Sequence, residues 1–474
     1  MDRLGVQFPD RARPALSNLT ARIEPGDVIA VTGPSGCGKT TLCRCLAGFV
    51  PELIPAETTG EIRVGGEPVL RWDPAHLATW IGLVQQDPDA QICTLRVRQE
   101  VAFGPENLCL PAMEVKRRTE RAMHFVGIEH LADRETTTLS GGEKQRLAIA
   151  SILAMAPAVI VLDEPTANLD PEGAKAIFDL LDQLRKDEGI TLLVIEHRLE
   201  PLMGLHPRLW VMDEGRIVHR QPTRRREDLV ALGLHTRWDR PPLPVRPSHR
   251  AEMEVQGVSF SYDGAPLLDR ISLSLSTGDI LGIFGPNGGG KTTLLRLIAG
   301  LEKPLDGEVV LPQGSTMGMV FQHPHQQIFE RTVRREIEIG GGVEDTALRA
   351  MLGRARLDGL AGAAPLSLSL GEQRRLTVMT TLCSEPDVLL LDEPFIGQDR
   401  HNVAWIIAQI LAARDRGAIV VLVSHDIPLI GALCSRVLYL GRAVLFGEPD
   451  EVFAELRARG NAPYTPEFWE GRSG

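Results

Sequence analysis

The sequence predicts an α/β protein made of two tandem copies of one domain, each a mainly parallel sheet flanked by helices. Three observations predict it. A glycine-rich segment between a strand-like apolar run and a helical pattern occurs twice, as Gly33-Pro34-Ser35-Gly36-Cys37-Gly38-Lys39-Thr40-Thr41 and as Gly285-Pro286-Asn287-Gly288-Gly289-Gly290-Lys291-Thr292-Thr293. Downstream of each, a second short apolar run ends in an acid pair, Asp163-Glu164 and Asp392-Glu393. Such runs, alternating with helical patterns, are the mark of strands buried on both faces of a parallel sheet. The length, 474 residues, accommodates two to four domains of roughly 100–200 residues each.

Taken in chain order, residues 1–225 form the first expected domain and 226–250 a linker. Residues 251–450 form the second domain and 451–474 a C-terminal tail. The linker contains Pro241, Pro242, Pro244 and Pro247, which remove backbone donors and fix φ, so no helix or central strand runs through it. The two copies are not equal in length. Gly33 and Asp163 lie 130 residues apart, whereas Gly285 and Asp392 lie 107 apart.

Composition narrows the function. Hydrophobic residues at 43% and charged residues at 24% exclude collagen-like, disordered and coiled-coil classes. A net charge of -11 argues against nucleic acid as the partner. No apolar run approaches the roughly 18–20 residues that span a bilayer, and the first residues do not resemble a signal peptide. The chain is therefore expected in the cytosol, with any membrane role supplied by a partner. Seven cysteines without CxxC spacing are expected to be reduced thiols.

The glycine-rich segments match G-x-x-x-x-G-K-[ST] in the strand–loop–helix context that motif requires. Glycines let backbone N–H groups turn toward phosphate oxygens at a helix N-terminus. Lys39 and Lys291 are two of only seven lysines in the chain, placed where a compact cation reaches β- and γ-phosphates. Thr40 and Thr292 offer hydroxyls to Mg²⁺. The acid pairs stand at the carboxyl ends of predicted parallel strands, where such sheets bind ligands. Asp163 and Asp392 are read as holding the Mg²⁺ shell, and Glu164 and Glu393 as polarising the attacking water. His197 and His425 follow apolar strands and are placed to reach the γ-phosphate.

Between these elements, Leu139-Ser140-Gly141-Gly142-Glu143-Lys144-Gln145-Arg146-Leu147 resembles the signature of ABC-type ATPases. Gln86 and Gln322 match that family's Q-loop positions, Asp170 and Asp399 its D-loop positions, and the two histidines its switch positions. The resemblance covers nearly the whole chain. It implies an ATP- and Mg²⁺-dependent ATPase in which each domain adds an antiparallel β subdomain and a helical signature subdomain to its core sheet. It also implies that Ser140, Gly141 and Gly142, and Ser369 and Gly371, complete the nucleotide site of the opposite domain. One chain then forms both composite sites. Tyr262 matches the family's aromatic that stacks on adenine.

Gln86-Asp87-Pro88-Asp89-Ala90-Gln91-Ile92 and Val101-Ala102-Phe103-Gly104-Pro105-Glu106-Asn107-Leu108 look more narrowly like the ATPases of energy-coupling factor importers of vitamins and transition-metal ions. That implies an integral-membrane coupling subunit, a substrate-binding membrane subunit and a peripheral place on the cytoplasmic face of the membrane. The alternatives are the tandem ATPase of a sugar-type importer and a soluble ribosome-associated ATPase. The acidic chain and short linker argue against the latter.

Two departures from the pattern fall together. Asp10 stands where the second copy has Tyr262, and Leu370 where the first copy has Gly141. With signatures working on the opposite domain, both weaken the site of Lys39, Glu164 and His197. The site of Tyr262, Lys291, Gln322, Glu393 and His425 is expected to bind nucleotide more tightly and carry most of the turnover.

Overall fold

The computed structural model describes residues 1–222 and 252–466, except 10, 12, 70, 71, 198, 263, 265 and 340–342. The chain divides into two units, Met1–His235 and Thr236–Gly474. The predicted linker 226–250, Asp10 and the aromatic residues Phe468 and Trp469 of the tail lie outside the described residues.

The core of the first unit is a six-stranded sheet. Its strand order is Arg216–Pro222, Arg208–Asp213, Val28–Thr32, Thr191–Ile195, Val159–Asp163 and Ile81–Val84. The first pair is antiparallel and every other neighbouring pair is parallel. Val28–Thr32 and Thr191–Ile195 are buried along their whole length, which is why they read as unbroken apolar runs rather than alternating ones. A separate antiparallel sheet joins Leu16–Leu19, Asp2–Gln7 and Glu57–Glu61. Helices Val97–Asn107 and Ala112–Val126 pack on helix Gly141–Ala154, giving the helical subdomain that the sequence resemblance implies.

The second unit repeats this order, with Val444–Gly447, Arg436–Leu440, Ile280–Phe284, Ile419–Val423, Val388–Asp392 and Met317–Val320 in one sheet. Its antiparallel sheet joins Leu268–Ser276, Glu252–Phe260 and Asp306–Val310. Much of the length difference lies beside that sheet. The first unit carries a small hairpin, Arg63–Val64 with Glu67–Pro68, and a helix, Pro74–Ala78. The second passes from Asp306–Val310 to Met317–Val320 through neither.

Helix Pro449–Ala458 and the short turn Ala462–Tyr464 pack on the second unit's own core. Tyr464 lies 5.4 Å from Tyr439 between ring centroids, and Phe453 lies 5.6 Å from Phe284. Phe453 is fully buried. Phe453→Ala should therefore destabilise the second unit by about 3–5 kcal/mol, read as a melting transition lowered by several degrees. An unchanged transition would show that this helix is not part of the core.

Candidate functional site

Each phosphate loop leaves a fully buried strand and enters a helix, Lys39–Leu46 or Lys291–Ile298. Gly33 and Gly285 have φ of +147 and +142, and a Cβ on either would lie 2.1 Å from the carbonyl oxygen of Met212 or Leu440. Glycine is thus required by backbone packing at the loop's entry. Lys39 Nζ donates to the carbonyls of Gly33 (2.8 Å) and Pro34 (3.0 Å), and Lys291 Nζ to those of Gly285 (3.0 Å) and Pro286 (2.8 Å). Both ammonium groups are buried at the helix N-terminus, where the dipole and backbone N–H groups favour an anion.

Asp163 and Asp392 end their strands beside these helices, hydrogen-bonded to Thr40 and Thr292 respectively. In both aspartates Oδ1 is buried without a hydrogen-bond partner. A buried, unsatisfied carboxylate oxygen next to a threonine hydroxyl is a donor set for a hard cation such as Mg²⁺. Burial pushes the Asp163 carboxyl up to about 6, with the Glu164 charge adding to it, and burial likewise raises Asp392.

Glu164 and Glu393 follow in left-handed backbone, each with φ of 50. For a non-glycine residue that conformation is costly and is held only where the surroundings enforce it. Their N–H groups donate to Ile195 O and Val423 O, both at 3.0 Å, across the neighbouring strand. This turn aims the side chains at the switch histidines. His197 Nε2 lies 3.1 Å from Glu164 Oε1, and His425 Nε2 lies 3.2 Å from Glu393 Oε1. Gln86 Nε2 also donates to Glu164 Oε2 at 2.8 Å. In the second unit the His425 N–H donates to Glu393 Oε2 at 3.3 Å.

Within each unit, Lys, Thr, both acids and His therefore converge at the carboxyl edge of one sheet, and the first unit adds Gln86. Tyr262 is 55% exposed, with its hydroxyl 3.5 Å from Thr293 Oγ1 and its ring edge-on to Phe260 at 4.9 Å. An exposed ring beside the phosphate-loop helix is available for stacking.

Ser140 and Ser369 cap helices Gly141–Ala154 and Leu370–Cys383 through complete capping boxes with Glu143 and Glu372. A Cβ on Gly141 would meet nothing nearer than Asn168 O at 4.0 Å. The unit's own packing thus leaves room for a side chain there, and Leu370, at the same position, is 38% exposed. Asp170 and Asp399 cap the helices that follow, accepting from Gly173 N at 2.7 Å and Asn402 N at 2.8 Å. Asp87 caps the short helix Pro88–Gln91, and Asp89 pairs with Lys144 at 2.6 Å, so the first unit's two Q-loop acids have partners within their own unit.

Glu196 is a buried acid that the sequence reading passes over. Glu196, immediately before His197, accepts from Thr166 Oγ1 at 2.5 Å and ties the stretch after Glu164 to the switch histidine. The signal was the Glu-His of the first copy against Ser424-His425 of the second.

Burial pushes Glu393 up to about 8, against the opposing pull of Lys291. Between its ordinary value of 4.5 and about 8 the folded chain holds this proton and the unfolded chain does not. Stability from this group is thus present at low pH and lost as pH rises through about 8. Without nucleotide, the melting temperature of Glu393→Gln minus that of wild type should grow by more than about 2 °C between pH 5 and pH 8.5. A constant difference would show that Glu393 is ionised throughout.

Comparison with known proteins supports the same reading. The model of the family described as "ABC transporter" matches residues 16–167 and 268–396. A provisionally named ABC transporter ATP-binding protein of Methanosarcina mazei is 33% identical, over 98% of this chain and 92% of its own length. A Bacillus subtilis protein, provisionally named as an HMP/thiamine import ATP-binding protein, is 32% identical over 96% and 92%. Among solved structures, the archaeal ribosome recycling factor aABCE1, in complex with the stalk protein aP1, aligns with a TM-score of 0.66. At 21% identity, over 97% of this chain and 92% of that one, it is a likeness of fold alone. The chain belongs to the ABC transporter family, as a tandem ATPase with two nucleotide-binding domains.

Proposed function

We propose that this chain energises an importer of the energy-coupling factor type, for a vitamin or a transition-metal ion, from the cytoplasmic face of the membrane. The observation that carries the proposal is an apolar cavity with an exposed apolar rim on the first unit. A cavity of about 180 Å³ is lined by Phe49, Leu53, Trp72, Leu77, Ile81 and Met155, among others, and Leu53 at its rim is 70% exposed. Helix Val97–Asn107 runs beside it, since a Cβ on Gly104 would lie 2.8 Å from Met155 Cγ, and this helix leaves Phe103 45% exposed. An exposed apolar patch of this kind suits a helix from an integral-membrane coupling subunit. The importer named for the Bacillus relative supports the class. Among the described residues no helix is long and apolar enough to cross a membrane; in this reading a separate substrate-binding membrane subunit selects the cargo.

In this reading Lys39 and Lys291 hold the β- and γ-phosphates of ATP, and Glu164 and Glu393, in their ionised form, take the proton of the attacking water. His197 and His425 orient those glutamates. Thr40, Asp163 and Gln86, and Thr292, Asp392 and Gln322, would hold Mg²⁺, which neutralises charge on the phosphate oxygens when bound. Each signature helix N-terminus, with Asp170 or Asp399 nearby in sequence, serves the opposite domain's nucleotide. In this reading the Lys39 site, served by the signature that carries Leu370, is the slower.

Leu53→Glu should leave ATP hydrolysis by the purified chain intact and abolish its co-purification with the membrane scaffold. Retained co-purification, or sedimentation of the wild-type chain with ribosomes, would overturn the assignment. Turnover should fall about tenfold further for Glu393→Gln than for Glu164→Gln, equivalent to about 1.4 kcal/mol of barrier. Equal losses would show equivalent sites.

A further inference from the structure

The second unit contains a polar joint that the first lacks. Arg374, in the second turn of helix Leu370–Cys383, is buried at 3% exposure. Its Nη2 donates to Gln322 O at 2.6 Å and its Nη1 to Ile396 O at 2.8 Å. One guanidinium thus spans from the signature helix to the Q-loop and to the turn three residues after Glu393. Next to it, Arg375 donates to Gln398 Oε1 at 3.1 Å, and Gln398 Nε2 donates to Gly371 O at 3.0 Å. Gln398 directly precedes Asp399 and is itself buried.

The first unit has none of these bonds among its described residues. Gln145 stands at the position of Arg374, and its buried Nε2 has no hydrogen-bond partner. Leu169 stands at the position of Gln398, packed near Gly142. Arg146 keeps only the counterpart of the bond from Arg375 Nε to Ala355 O at 2.7 Å, donating to Val126 O at 2.8 Å.

We propose that Arg374 is a positioning residue for hydrolysis at the Glu393 site, fastening the signature helix, the Q-loop carbonyl of Gln322 and the turn after Glu393 into one body. A guanidinium can do this because its donors form a rigid fork that satisfies two carbonyls at fixed separation; a lysine ammonium, as a point charge, holds neither geometry. Buried charge-assisted bonds of this kind leave few alternative arrangements, whereas the first unit's joint, with an unsatisfied amide and a leucine, can slide. The inference rests on Glu393 as the base that serves this site.

The test uses the full chain carrying Glu164→Gln, so that residual turnover reports the Glu393 site. Adding Arg374→Gln, which installs the first unit's residue, should lower kcat at least tenfold while KM for ATP stays within about twofold. Arg374→Lys should not restore it. Hydrogen exchange should rise in peptides covering residues 320–324, 369–376 and 394–399 and stay unchanged in the first unit's counterparts. An unchanged kcat, a loss that Lys restores, or a loss that tracks the unfolded fraction by circular dichroism would overturn the proposal. Should Arg374→Gln fail to fold, Arg374→Met, which keeps the apolar stem and removes both donors, carries the same expectations. A Glu164→Gln/Glu393→Gln double variant as active as Glu164→Gln alone would instead refute Glu393 as the base.

Discussion

The site depends on one strained turn, made twice. After Asp163 and Asp392 the chain enters left-handed backbone at glutamate rather than glycine, held by a hydrogen bond to the neighbouring strand. Without that turn the alternation of a strand would send the second acid to the opposite face from the first. With it, the first acid stays beside the phosphate-loop threonine and the second meets a histidine from the next strand. Two carboxylates adjacent in sequence thereby acquire different surroundings, the separation that the proposed roles of cation ligand and base require.

The flanking elements follow from that arrangement. The parallel order puts the strand before the phosphate loop next to the strand that carries the histidine, and that strand next to the one ending in the acids. Three chain segments, far apart in sequence, end at one sheet edge. The phosphate-loop helices begin there with Lys39 and Lys291 in their first turns, and Asp170 and Asp399 cap the helices that follow the acid pairs. The signature serines close capping boxes of their own, and a side chain at Gly141 would meet no close neighbour within its unit.

Much of this was legible in the residues. Buried parallel strands read as unbroken apolar runs, whereas the loop glycines, read for their approach to phosphate, turn out at Gly33 and Gly285 to be crowded by a carbonyl of their own unit. The tandem architecture was legible from the repeated loop and acid pair. What could not be read was geometry that depends on tertiary neighbours. The Glu164–His197 and Glu393–His425 contacts join residues more than thirty positions apart, and nothing in either local sequence encodes a positive φ at glutamate. Arg374 and Gln398 were unremarked in the sequence, because a charged residue beside a signature motif looks like solvent-facing polarity until its burial is seen. The cavity wall from Trp72 to Leu77 was invisible for a similar reason, being built by a segment that only the first copy carries.

Taken together, the duplicated turn brings the acids and the histidine to the same sheet edge in each unit, and in our proposal the polar joint of the second unit and the altered signature position make the two sites unequal. Phosphate release in a single turnover, with enzyme in excess over Mg²⁺·ATP, tests this most directly. Two phases with rates at least about tenfold apart, the fast one of larger amplitude, are the result expected, the fast one disappearing in Glu393→Gln. A single exponential that either glutamate substitution slows equally would contradict it.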